Sequence, residues 1–125
     1  MIDHVEIFVQ DQKKSCDFYS GALQPLGYAL RVEGKAAGFG ESEDKVDFFV
    51  REGGPSVPLP HIAFHCVTRE LVDISHRAAL AAGGVPRTAP VLQPLVHASY
   101  YAGTILDPDG HIIEFACHRD MKQAA

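Results

Sequence analysis

A chain of 125 residues is long enough for one ordinary domain with a real core and too short for two independent ones. Its hydrophobic fraction of 46% and charged fraction of 22% are those of a globular protein. A net charge of −5 argues against nucleic acid and against an anionic membrane surface, because both require a basic footprint, while no apolar run approaches the roughly 18 residues of a membrane helix.

The opening residues show no basic signal region and go directly into a strand pattern, so a cytoplasmic protein is expected. Cys16, Cys66 and Cys117 lack metal-type spacing and read as reduced, buried small side chains, consistent with that compartment. In the first strand, about residues 3–9, Val5, Ile7 and Val9 alternate with His4, Glu6 and Phe8. Asp11 is placed to cap a helix whose apolar stripe is Cys16, Tyr19, Leu23 and Leu26, and Gly27 is placed to end it. Strands over about 28–33, 36–40 and 45–51 follow.

The Gly- and Pro-rich segment 53–60 then divides the chain into a module of about 1–55 and another of about 58–120. Shifting the sequence by 57 residues lays His4-Val5 on His61-Ile62, Ala22-Leu23 on Ala79-Leu80, and Gly27 on Gly84. In the second module Ile62, Phe64 and Cys66 alternate with His61, Ala63 and His65. Thr68 is the expected cap of a helix with the stripe Leu71, Ser75, Ala78 and Ala82, stopped by Gly83-Gly84. Strands near 85–89, 97–106 and 112–118 complete it.

Asp107-Pro108-Asp109-Gly110 joins the last two strands, and Pro followed by Gly suits a three-residue loop with a glycine bulge. That loop sets a register in which Asp107 opposes His111, Thr104 opposes Glu114, Ala102 opposes Ala116 and Tyr100 opposes His118. The expected fold is α+β. Two tandem βαβββ modules form a curved, mostly antiparallel eight-stranded sheet, with helices over the apolar outer face and the polar faces curving around a metal cavity. His4, His61 and Glu114 fall on those polar faces. Two imidazoles and a carboxylate suit Zn, Fe, Mn, Ni or Co and leave positions open for water or substrate.

These residues resemble the vicinal oxygen chelate superfamily, which includes glyoxalase I, bleomycin resistance proteins, fosfomycin resistance thiol transferases and extradiol dioxygenases. The resemblance rests on His4-Val5 heading the first strand, Phe18-Tyr19 on the helix, Pro60-His61-Ile62-Ala63-Phe64 heading the second module, and Leu106-Asp107-Pro108-Asp109-Gly110-His111-Ile112-Ile113-Glu114 closing it. It implies that His4, His61 and Glu114 ligate one divalent metal, and that the chain forms a homodimer with the site within one chain or shared across two. Glyoxalase I has a fourth ligand on the last strand of the first module, where Phe48 is expected to stand here. Thr104 stands in place of the tyrosine that serves phosphonate binding in the fosfomycin enzymes. The segment His97–Ala102 is similar to small bacterial glyoxalase-like proteins.

The resemblance implies an enzyme that acts on a small molecule with adjacent oxygens, as a lyase, isomerase or dioxygenase. The alternatives are a metal-free drug-binding protein and a thiol transferase. Histidine suits proton transfer near neutral pH, which makes His97, Tyr100 and His118 the catalytic candidates. His65 and Glu6 lie on the ligand faces as cavity wall or as hydrogen-bond partners of the ligands.

Overall fold

The computed structural model describes residues 1–119. Strand β1 (Val5–Val9) leads into helix α1 (Gln12–Ala22), where the Asp11 carboxylate accepts a hydrogen bond from the Lys14 backbone N–H at 3.1 Å. The helix ends earlier than the stripe to Leu26 implies. Pro25 has no N–H to continue the α ladder, so Gln24–Leu26 tightens into a 3-10 turn that Gly27 closes at a φ of 80°. Strands β2 (Ala29–Val32), β3 (Ala36–Ser42) and β4 (Lys45–Glu52) complete the first module.

The second module repeats this with β5 (His61–His65), α2 (Arg69–Ala81), β6 (Val85–Leu92), β7 (Tyr101–Leu106) and β8 (Ile112–Cys117). Thr68 Oγ1 caps α2 by accepting from the Leu71 N–H at 3.0 Å. The eight expected strands are present as two four-stranded sheets, ordered β1-β4-β3-β2 and β5-β8-β7-β6. In each sheet the first and last strands of the module run parallel and the remaining pairs antiparallel. Two tandem βαβββ modules, α+β in class, are therefore observed.

Strand β7 starts at Tyr101, not at His97, because 93–100 folds into turns closed by Val96 N–H to the Gln93 carbonyl and Tyr100 N–H to the His97 carbonyl. The 107–110 turn has the expected geometry. The Asp107 N–H bonds the His111 carbonyl, the Gly110 N–H bonds the Asp107 carbonyl, and Gly110 takes a φ of 95°. Thr104 accordingly pairs with Glu114, and Ala102 with Ala116.

Alternation puts Ile7, Val9, Phe39, Phe48 and Val50 of the first sheet, and Ile105, Ile113, Phe115 and Cys117 of the second, into one continuous core with Phe18, Tyr19, Leu23, Val72 and Ala79 of the helices. Phe64 bridges the halves, 5.3 Å from Phe48 and 6.2 Å from Phe115 between ring centroids. The buried face of α2 is Val72, Ser75, His76 and Ala79, rotated about a residue from the Leu71–Ala82 stripe. That rotation turns His76 toward β7, where its Nε2 lies 3.3 Å from the Thr104 carbonyl.

A polar link also crosses between the modules. The Tyr19 hydroxyl of α1 donates to Asp107 Oδ2 at 2.5 Å, and both residues are buried. Asp107 additionally accepts from the Asp109 and His111 backbone N–H groups and lies 2.8 Å from His111 Nδ1. No helix among the described residues is long and apolar enough to cross a membrane.

Candidate metal centre

The faces opposite the core carry the titratable side chains. On the second sheet, His61 opens β5 and Glu114 sits mid-β8, with Ala63 as the direct cross-strand partner of Glu114. Ala63 is small, so the His61 ring can lean over it: His61 Nε2 lies 2.7 Å from Glu114 Oε1. The Glu114 side chain is 10% exposed and the His61 side chain 49%, so a nearly buried carboxylate meets a half-open imidazole. A carboxylate withdrawn from water needs partners for both oxygens. The Tyr100 hydroxyl supplies the second, donating to Glu114 Oε2. Burial, reinforced by that hydrogen bond and by the Glu114 charge, pushes the Tyr100 phenol up to about 12, so it is a neutral donor at physiological pH.

Next to Tyr100 is a row of imidazoles. His97 Nε2 is 2.8 Å from His118 Nδ1, and the two rings stack at 5.1 Å. Tyr100 meets His118 edge-on at 5.0 Å, as their opposed positions in the register imply, and His65 stacks on the far side of His118 at 6.1 Å. His61, His65, His97, Tyr100, Glu114 and His118 thus form one contiguous polar group on the second module.

His4 is elsewhere. It precedes β1, its Nδ1 lies 2.7 Å from Asp3 Oδ1, and its ring meets Phe49 edge-on at 5.5 Å. It lines a cleft of about 260 Å³ between the starts of β1 and β5, shared with Asp47, Ile62 and His65. Within one chain, then, His61 and Glu114 are brought together and His4 is not at ligand distance from them. The pairing register also relocates the fourth-ligand position. Val5 faces Phe48 as Ile62 faces Ile113, and one residue on, Glu6 faces Phe49 as Ala63 faces Glu114. Phe49, not Phe48, is therefore the counterpart of Glu114. Phe48 is 1% exposed and belongs to the core. Glu6 on the same face pairs with Arg51 at 3.2 Å.

Among the described residues, the one group of three ligand-type side chains with donor atoms within 4.8 Å of one another is Asp107, Asp109 and His111. Tyr19, two backbone N–H groups and His111 already occupy the acceptor sites of Asp107, which marks this turn as a structural latch. His61 and Glu114, by contrast, present a nitrogen and a carboxylate oxygen side by side on an open face. Their 2.7 Å separation is that of a hydrogen bond, and two ligands of one tetrahedral ion at bond lengths near 2 Å stand about 3.3 Å apart, so the pair opens by roughly half an ångström to hold an ion. The donor chemistry fits a divalent transition metal.

One residue of this face was not legible as such. Arg87 on β6 reaches the Thr104 hydroxyl, with Nη1 at 3.3 Å. Regular alternation would send it away from Thr88, but the register slips by one residue between Pro86 and Thr88. Pro86, which cannot donate to a ladder, is the signal that marks such an irregularity.

Paired βαβββ modules, with cores sealed by helices and opposite faces bearing imidazole and carboxylate donors, define a glyoxalase-like protein of the vicinal oxygen chelate type. The sequence profile of the Glyoxalase/Bleomycin resistance protein/Dioxygenase superfamily matches residues 1–115, and the chain belongs to that superfamily. The fold is similar to that of a glyoxalase/bleomycin resistance protein from Albidiferax ferrireducens T118, with a TM-score of 0.80 and 22% identity over 95% of this chain and 99% of that one. It is similar also to a glyoxalase/bleomycin resistance protein/dioxygenase family enzyme from Burkholderia phytofirmans PsJN, with a TM-score of 0.71 and 20% identity over 94% and 98%. A glyoxalase-related enzyme from Fulvimarina pelagi gives a TM-score of 0.70 and 20% identity over 94% and 87%. No protein of curated function matches the chain.

Proposed function

We propose that the chain is a cytoplasmic, divalent-metal-dependent enzyme acting on a small molecule with adjacent oxygens, by lyase, isomerase or dioxygenase chemistry. The observation that carries this reading is the convergence of His61 Nε2 and Glu114 Oε1 on an open sheet face. His61, Glu114 and His4 are the proposed ligands of one Zn, Fe, Mn, Ni or Co ion. Because His4 stands on the other sheet of its own chain, the third donor comes from a second copy in a homodimer. Such an ion supplies Lewis-acid polarisation of adjacent substrate oxygens when bound.

The remaining roles belong to the chain. Tyr100 holds the Glu114 carboxylate in place from its far oxygen, so the carboxylate does not turn toward solvent. His118 and His97 share a hydrogen bond beside Tyr100 and can hand a proton between the open face and solvent. His65 walls the face behind His118.

The test is elemental analysis of protein purified without a His-tag or chelator, beside His61→Ala and Glu114→Ala. The expected result is about one equivalent of transition metal per chain in the native protein and none in either variant. Iron directs the search to oxygen chemistry; zinc, nickel or manganese directs it to isomerase or lyase chemistry. No metal in the native protein, and none taken up on reconstitution, overturns the reading in favour of a metal-free binding protein.

A further inference from the structure

We propose that Arg87 is the anchor for an anionic group of the substrate, which makes that substrate a small molecule with adjacent oxygens at one end and a carboxylate or phosphate-type group at the other. This rests on the metal-site reading above for the first end only; the second end is argued from β6 itself.

An arginine on a regular exposed strand is ordinarily a solvated side chain. Arg87 differs because of its backbone. Pro86 pairs with Ile105 and Thr88 pairs with Thr104, so two residues of β6 stand against a single step of β7. The extra residue of a β-bulge is turned toward the same face as its neighbour. Ile105 points into the core, whereas Thr104 is the cross-strand partner of Glu114 on the ligand face. The side chains agree with the backbone: Thr88 Oγ1 and Arg87 Nη1 converge on Thr104 Oγ1, at 2.6 and 3.3 Å. The bulge therefore delivers a guanidinium to the face that holds Glu114 and His61. With neighbouring strands about 4.8 Å apart, a guanidinium folded back over β7 lies within roughly one strand spacing of the Glu114 strand.

The charge balance of that face favours an anion. The carboxylate of Glu114 on that face is already bonded to His61 and Tyr100. None of the five ion pairs of the described residues includes Arg87. A guanidinium has five N–H donors; the Thr104 hydroxyl takes one, which steadies the planar fork, and among the described residues no other partner is bonded to Arg87. A planar fork with free donors suits a carboxylate or phosphate in two-point contact. Among His61, His65, Thr88, Tyr100, Thr104 and Glu114, no other side chain carries a permanent positive charge.

The experiment uses three chelators that share a hydroxamate and differ in their tail. These are acetohydroxamate with a neutral methyl, succinomonohydroxamate with a carboxylate, and phosphonoacetohydroxamate with a phosphonate. Each is titrated calorimetrically into the zinc-loaded protein, into Arg87→Gln and into Arg87→Lys. The proposal expects the anionic tails to tighten binding about ten-fold over acetohydroxamate. Arg87→Gln erases that difference, Arg87→Lys keeps part of it, and acetohydroxamate binds all three proteins alike. Whichever tail gains more identifies the anionic group. Equal affinity for neutral and anionic tails in the native protein overturns the proposal, as does a loss in Arg87→Gln that is the same for all three probes. Failure of acetohydroxamate to bind the native protein counts against the metal site alone. Succinate without a chelating group then decides: binding that Arg87→Gln abolishes upholds the anchor, and binding that it leaves unchanged overturns it.

Discussion

Tyr19→Phe removes the hydroxyl that links α1 of the first module to the 107–110 turn of the second. The donor is buried, the acceptor is a buried carboxylate, and the bond is 2.5 Å long. A hydrogen bond to a charged group contributes about 1.5–3 kcal/mol, and here the aromatic ring and its packing against Phe18 and Phe48 are retained. The expected loss is therefore about 2 kcal/mol. For a chain of this length that lowers the melting temperature by roughly 6–8 °C, read by circular dichroism at neutral pH.

The pH dependence sharpens the test. Burial works against the charged form of Asp107, but the hydrogen bonds from His111 and Tyr19 outweigh it and hold the carboxyl below its ordinary value. Burial, with Asp107 beside it, holds the Tyr19 hydroxyl well above its own ordinary value, so it remains a neutral donor throughout. A carboxyl lowered in the folded state adds stability that is complete above its unfolded value of about 3.9, and that fades as the pH falls through the folded value. The gap between native protein and Tyr19→Phe is therefore widest at neutral pH and narrows below about pH 4. A loss under about 0.5 kcal/mol, or a gap that widens as the pH falls below about 4, would refute the assignment of Asp107 as a carboxylate clamped by this tyrosine.

Subunit mixing tests the shared metal site. His4→Ala and His61→Ala each lose the metal, and equimolar remixing after unfolding restores about a quarter of the native content, since half the dimers are mixed and each regains one of two sites. Metal retained by His4→Ala alone, or no recovery on mixing, rejects the two-chain arrangement. Packing is tested at Gly40, where an added Cβ would sit 1.8 Å from the Lys45 carbonyl oxygen. Gly40→Ala must displace the β3–β4 turn, at a cost of about 1–3 kcal/mol in urea unfolding, and an unchanged midpoint contradicts the packing described there.

Much of this architecture is legible in the sequence because local and long-range signals agree. The caps at Asp11 and Thr68, the alternation around His4 and His61, and the turn chemistry of Pro108 and Gly110 each specify geometry within a few residues. The turn then propagates a register three residues up β7 to place Thr104 opposite Glu114. Periodicity alone fails where backbone irregularity intervenes. Pro25 shortens α1, the turns of 93–100 shorten β7, and the slip at Arg87 puts a guanidinium on a face that regular alternation denies it. The exchange of Phe48 for Phe49 has a different cause: two adjacent phenylalanines read identically in sequence, and the pairing with β1 shows which one is core. The separation of His4 from His61 and Glu114 within one chain follows from how the two sheets are set against each other, a long-range property that strand patterns do not carry.

The register that pairs Glu6 with Phe49, as Ala63 pairs with Glu114, has an evolutionary reading. A duplicated module gives every position two incarnations, and strand alternation separates the residues that hold the fold from those that do chemistry. Phe48 and Ile113 are bound to the shared core and have little room to drift. Their neighbours Phe49 and Glu114 are freed from that duty, and one has become an aromatic wall while the other presents a carboxylate. The first module is in this sense a vacant socket of the same pattern as the second. New donors can be tried there one substitution at a time without loosening the scaffold, which lets one small fold diverge in chemistry while its framework stays still.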